Sequence, residues 1–200
     1  MASDWYVEQM PGGRVRFEAD TLIVEDKAGC TVWLRRKLNA PLRLSFTARL
    51  VSKGGPLDRV SDLNCFWMAS DPARPDGSVI VPEKPRSGAF ADYDSLRCYY
   101  VGMGGNTNTT TRFRRYAGNG ERPLLPEHDL KAPEVLLEGN RDYRIEITSS
   151  AEGLSYARDG VVLFSWKDPQ PLLEGYFGFR TVWSHLEIRD FRVTGQAPGG

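Results

Sequence analysis

The sequence predicts an all-β protein, a jelly-roll sandwich of two antiparallel sheets with long loops, and three observations lead there. Apolar residues recur at every second position through most of the chain, the period of half-buried strands. Clusters of Gly, Pro, Asp and Asn punctuate these runs, and helical periodicity is hard to find. Finally, 200 residues with 40% hydrophobic content suffice for one substantial core and fall short of two. The expected organisation is a single domain over 1–195 followed by a disordered tail over 196–200.

In chain order, "RVRFEADTLIVED" (14–26) and "CTVWLRRKL" (30–38) alternate, and "LRLSFTARLV" (42–51) repeats the pattern after the turn at "NAPL". Further candidate strands are "LNCFWMAS" (63–70), "LRCYYVGM" (96–103) and "TTTRFRRY" (109–116). "YRIEITSS" (143–150), "LSYARDG" (154–160), "VVLFSWKD" (161–168), "GYFGFRT" (175–181) and "SHLEIRDFRV" (184–193) complete the set. The Asp-Gly pair in "ARDGVV" is a strong hairpin signal. About ten strands in one chain of this size imply two stacked sheets. Two irregular pieces, 70–95 and 118–140, exceed ordinary loop lengths, which points to loops that line a site.

Composition narrows the partners. The 26 basic and 26 acidic residues cancel, so the chain as a whole has no bias toward nucleic acid or anionic membrane. No apolar run is long enough to cross a bilayer, and "MASDWYVEQMPGG" has no signal-peptide pattern. The expectation is a cytoplasmic protein or a mature secreted or periplasmic form, monomeric or homodimeric. Cys30, Cys65 and Cys98 are odd in number without metal-ligand spacing, and read as buried free thiols. No cofactor is expected; a divalent metal is left open without any spacing that predicts it.

"YRIEI", "YARDGVVLFSWKD", "GYFGFRT" and "SHLEIRDFRV" in this order resemble the end of a concanavalin A-like jelly roll. More narrowly, "DRVSDLNCFWMASDP", "YYVGMGGNTNTTTRFRRY", "PLLPEHDL" and "GYFGFRTVWSH" resemble a bacterial jelly-roll family found beside polysaccharide-degradation genes and related to YesU-like proteins. A more distant likeness is to the 3-keto-glycoside hydrolase jelly rolls. The resemblance covers nearly the whole chain and implies carbohydrate processing. It supplies no residue roles, which must come from physical argument.

In "TTTRFRRY", alternation puts Phe113 and Arg115 on one face and Arg112, Arg114 and Tyr116 on the other. If Phe113 marks the core, two guanidiniums face outward, their forked donors suited to a carboxylate. The preceding strand pairs through "GMGGN", which carries Asn106. It brings Tyr99 to that face, or Tyr100 if the register slips by one residue. Asn64 begins a strand on which Phe66 and Trp67 point to opposite faces; one must be core, and Trp67 is the candidate for stacking on a sugar. The two histidines are His128, on a proline-bounded loop between Glu127 and Asp129, and His185, at the start of the last strand.

These residues predict a lyase that cleaves a uronate-containing oligo- or polysaccharide by β-elimination. Arg112, Arg114, Arg180 and Asn64 would neutralise the carboxylate, His128 or His185 would be the base, and Tyr99 or Tyr100 the acid. Two alternatives stand beside it: a non-catalytic sugar-binding module, and a metal-dependent hydrolase or lyase of 3-keto-glycosides. No paired-carboxylate strand motif, Gly-x-Ser-x-Gly elbow or phosphate loop appears.

Overall fold

The computed structural model describes residues 2–195; Met1 and the expected tail at 196–200 lie outside the described residues. The strands are β1 (Trp5–Gln9), β2 (Arg14–Glu18), β3 (Thr21–Asp26), β4 (Cys30–Leu34), β5 (Leu38–Asn39), β6 (Leu42–Leu50), β7 (Leu63–Ser70), β8 (Arg97–Gly104), β9 (Thr110–Ala117), β10 (Asp129–Leu130), β11 (Asp142–Ser149), β12 (Leu154–Arg158), β13 (Val161–Trp166), β14 (Glu174–Thr181) and β15 (Ser184–Thr194). All pair antiparallel, in two sheets. The front sheet runs β1-β4-β14-β7-β8-β9-β10, with β5 beside β14, and the back sheet runs β13-β12-β11-β6-β15-β3-β2.

Alternation builds the back sheet as expected. On β6, Leu42, Leu44, Phe46, Ala48 and Leu50 are buried while Arg43 is exposed, and Tyr143, Ile145 and Ile147 on β11 continue the same inward face. The two-residue loop at Asp159 and Gly160 has φ of 53° and 81°, the conformation that matches strand twist in a tight hairpin. The stretch 14–26 is itself a hairpin, turning at Ala19 with φ 49°.

The front sheet is buried on both faces. Its inner face sends Val32, Cys65, Trp67, Tyr99, Val101, Phe113, Phe177 and Phe179 into the main core. Its outer face carries a second core of Trp33, Phe66, Cys98, Tyr100 and Tyr116, roofed by Val79, Tyr93 and Leu96 from the long connection between β7 and β8. Phe66 packs against both Trp33 (5.4 Å) and Tyr93 (5.6 Å), which also meet each other at 6.2 Å. Gly178 is required here, since a Cβ would stand 2.5 Å from the Trp33 ring. One buried carboxylate pins the roof: Glu8 accepts hydrogen bonds from Trp33 Nε1 (2.9 Å), Tyr93 OH (2.9 Å) and the Arg86 backbone N–H (3.2 Å).

This double burial corrects two expectations. Trp67 points into the main core with 0% exposure, packed on Tyr99 and Phe113, so it is not available to a ligand. Tyr116 does lie on the outer face, but the roof and the Arg122 guanidinium (5.8 Å from its ring) cover it completely. All three cysteines are buried and free, as their spacing suggested.

Candidate functional site

Strand register lays a polar row across the front sheet's outer face, at the Asn64 end of β7. Thr31 stands opposite Arg180, Arg180 opposite Asn64, Asn64 opposite Gly102, Gly102 opposite Arg112, and Arg112 opposite Asp129. The next row on the same face is aromatic: Trp33, Gly178, Phe66, Tyr100 and Arg114 stand side by side. Side chains opposite one another in such a ladder are roughly 4.5–5.5 Å apart at Cβ. Gly102 leaves a gap in the polar row, and the Tyr100 hydroxyl leans over it, 3.3 Å from where a Cβ would be.

Arg180 is the anomaly of this row. It is 1% exposed, and its Nη1 donates to Thr31 Oγ1 and Gly88 O, both at 2.9 Å. Its Nε and Nη2 are buried with no partner among the described residues, and no described carboxylate pairs with it. Phe90 and Tyr93 flank the guanidinium at 4.9 and 5.0 Å from their ring centroids. Burying a cation with two unpartnered nitrogens is costly, and an acceptor placed there would relieve that cost.

Asn64 repeats the pattern with the opposite sign. It is 3% exposed, its Nδ2 donates to Asp62 Oδ1 (3.2 Å), and its Oδ1 is buried without a partner. Asp62 is held by Arg59 Nη2 (2.8 Å) and the Ser61 hydroxyl, which orients the amide. Burial, then the neighbouring Tyr116, pushes the Tyr100 pKa well above its ordinary value, so its hydroxyl is a proton donor at neutral pH. The ensemble offers guanidinium donors, one amide acceptor and one phenol beside an aromatic floor, a set suited to a hydroxylated ligand with an anionic group.

Arg112 and Arg114 face this side, as alternation predicts, but neither is a free clamp. Arg112 forks onto Asp129 at 2.8 and 3.3 Å, and that contact, with help from Lys131, holds the Asp129 pKa down at about 2. Arg114 donates to the Arg122 carbonyl, and burial lowers its pKa, with Arg112 and Arg122 adding to the effect. Arg115 takes the inner side and pairs with Asp168 (2.6 Å).

The other sequence-predicted residues do not converge here. Of the two tyrosines the register selects Tyr100, opposite Arg114; Tyr99 faces the core, donating to Asp168 Oδ2 (2.7 Å) and accepting from Leu172 N–H (2.9 Å). His128 is buried against Phe113, Phe164 and Trp166, and desolvation there lowers its pKa. His185 lies on the outer face of the back sheet, its Nδ1 3.2 Å from Asp58 Oδ1. Asn106 is exposed on the left-handed turn 105–108 and donates to Thr110 Oγ1 (3.3 Å). Phe90, Tyr93 and Gly102 were not foreseen; the length of the 70–95 connection was the only signal for the first two. Among the described residues no three His, Cys, Asp or Glu side chains are grouped to hold a metal ion.

Solved structures of similar shape share the sandwich. A protein of unknown function with a galectin-like fold from Bacillus subtilis has a TM-score of 0.71 at 18% identity, covering 97% of this chain and 90% of that one. The carbohydrate-binding module CBM66 from Bacillus subtilis has 0.60 at 11%, covering 96% of each chain. The carbohydrate recognition domain of Emp46p in its metal-free form has 0.60 at 12%, covering 96% of this chain and 88% of that one. At such identities these likenesses establish the jelly-roll fold and nothing finer. No protein of curated function matches the chain in sequence. The family model of DUF6250, a domain of unknown function, matches residues 24–191, the whole polar row included, and the chain belongs to that family.

Proposed function

We propose that this DUF6250 protein binds a carbohydrate on the outer face of its front sheet, with preference for a glycan that carries a carboxylate. The observation that carries the reading is the pairing of Arg180 and Asn64, adjacent and buried, each with unsatisfied polar atoms in a row that Tyr100 overhangs. Two structural neighbours that are carbohydrate-binding domains, and the expected kinship with YesU-like proteins, favour the same reading. Calorimetric titration with uronate-containing and neutral oligosaccharides tests it. Binding of uronides that Asn64→Ala weakens is the expected result; no binding across the panel overturns it.

A lyase on the same face is the second reading, favoured by the Tyr100 hydroxyl poised beside Asn64 and Arg112. Elimination needs the carboxylate neutralised, a base for the adjacent C–H and an acid for the departing oxygen. Arg180 and Tyr100 suit the first and last roles. His128 and His185 stand elsewhere, and Asp62 is engaged by Arg59, Ser61 and Asn64, which is why binding comes first. Ultraviolet absorbance of an unsaturated uronate product, lost in Tyr100→Phe, would establish the lyase. A 3-keto-glycoside activity that chelator removes and added metal restores would instead support the metal-dependent alternative.

A further inference from the structure

Trp183 is unlike any other tryptophan in the chain. It is 49% exposed, and it sits where the chain crosses from β14 in the front sheet to β15 in the back sheet. Its φ of +45° lies in the left-handed region, which costs a bulky residue about 1 kcal/mol or more. A glycine or asparagine would relieve that strain, and about half of the tryptophan surface stays exposed.

The ring is nonetheless held in place. Its backbone N–H donates to the buried Asp26 Oδ2 (3.2 Å) and its indole N–H to Pro56 O (3.1 Å). The Pro56 segment is braced by Asp58, whose carboxylate accepts from the Lys53 and Gly55 backbone N–H groups and meets His185. The Arg59 guanidinium covers the indole at 5.1 Å from its ring centroid. Arg59 also donates to the carbonyls of Trp183 (3.0 Å) and Val182 (2.6 Å) and to Asp62 (2.8 Å). Asp62 in turn orients the Asn64 amide. Arg59 thus connects Trp183 to the polar row, lying over the indole, bonding the Trp183 carbonyl and reaching the Asp62 carboxylate that holds the Asn64 amide.

Resting on the binding reading above, we infer that Trp183 is a second subsite, stacking on a neighbouring sugar ring of an oligosaccharide whose anionic unit occupies the Arg180–Asn64–Gly102 row. Trp183 follows Arg180 by three residues, so at most about 10 Å of chain separates them, within the span of adjoining units of one oligosaccharide. A flat, rigid aromatic face matches the C–H face of a pyranose ring at low entropic cost.

The test compares galacturonate, glucuronate and mannuronate as free monosaccharides and as oligomers, titrated into wild type, Trp183→Ala, Trp183→Phe and Asn64→Ala. Trp183→Ala should leave monosaccharide affinity unchanged and lose about tenfold or more for oligomers, roughly one stacked ring; Trp183→Phe should retain most of it. Asn64→Ala should weaken both. Oligomer affinity unchanged in Trp183→Ala and Trp183→Phe overturns the subsite while leaving the binding reading intact. Wild type that binds no uronide of any length overturns both.

Discussion

Replacing Asn64 by alanine separates a ligand-binding role from a structural one, because the two make opposite thermodynamic demands. The substitution removes the hydrogen bond from Nδ2 to the Asp62 carboxylate, worth about 1.5–3 kcal/mol for a charged acceptor. It also removes a buried carbonyl oxygen with no partner, a liability of about 1–3 kcal/mol. Asp62 keeps Arg59 and Ser61, so no carboxylate is stranded. The two terms nearly cancel, and net stability should change by no more than about 1 kcal/mol, some 2–4 °C in Tm for a chain of this size. The ligand, by contrast, loses an acceptor, which at about 0.5–1.5 kcal/mol lowers affinity up to tenfold. Differential scanning fluorimetry and calorimetry read the two quantities. A fall in Tm beyond roughly 6 °C with unchanged affinity would refute the reasoning, showing Asn64 to be a brace for Asp62 and its free oxygen inconsequential.

Gly102→Ala should place a methyl 3.2 Å from the Tyr100 ring edge and push its hydroxyl out of the row, lowering uronide affinity about tenfold with little loss of stability, as calorimetry and a thermal melt would show. Tyr99→Phe leaves the Leu172 N–H without its acceptor and should cost about 1–3 kcal/mol in urea unfolding while uronide affinity stays unchanged; the reverse outcome would return Tyr99 to the site. His128 has a folded pKa depressed by desolvation, so its neutral form contributes stability that is present above the unfolded value of about 6.5 and is lost as pH falls toward the folded value. Unfolding free energy measured across that window should decline in wild type and decline less in His128→Phe.

Much of the architecture was legible because alternation is a local property. The facing of Arg112, Arg114 and Tyr116 follows from Phe113 alone, and the Asp-Gly hairpin from two residues. Alternation fails where both faces of a strand are apolar. On β7 nothing local distinguishes Phe66 from Trp67, and the choice is made by what packs against each face: Phe164 and Tyr156 in the main core, Tyr93 and Val79 in the roof. Tyr99 and Tyr100 pose the same problem, and only the register with β9 puts Tyr100 beside the arginines.

What the chain determined by itself was the all-β sandwich, its free buried thiols and an outward row of cations on one strand. The tertiary structure decided which polar groups remain unsatisfied. Arg112 meets Asp129 across a sheet edge, Arg115 meets Asp168 from 53 positions away, and Arg180 stands opposite Asn64 with no ion pair among the described residues. Satisfaction of a buried charge depends on long-range neighbours, so the site could be read only once the strands were in register.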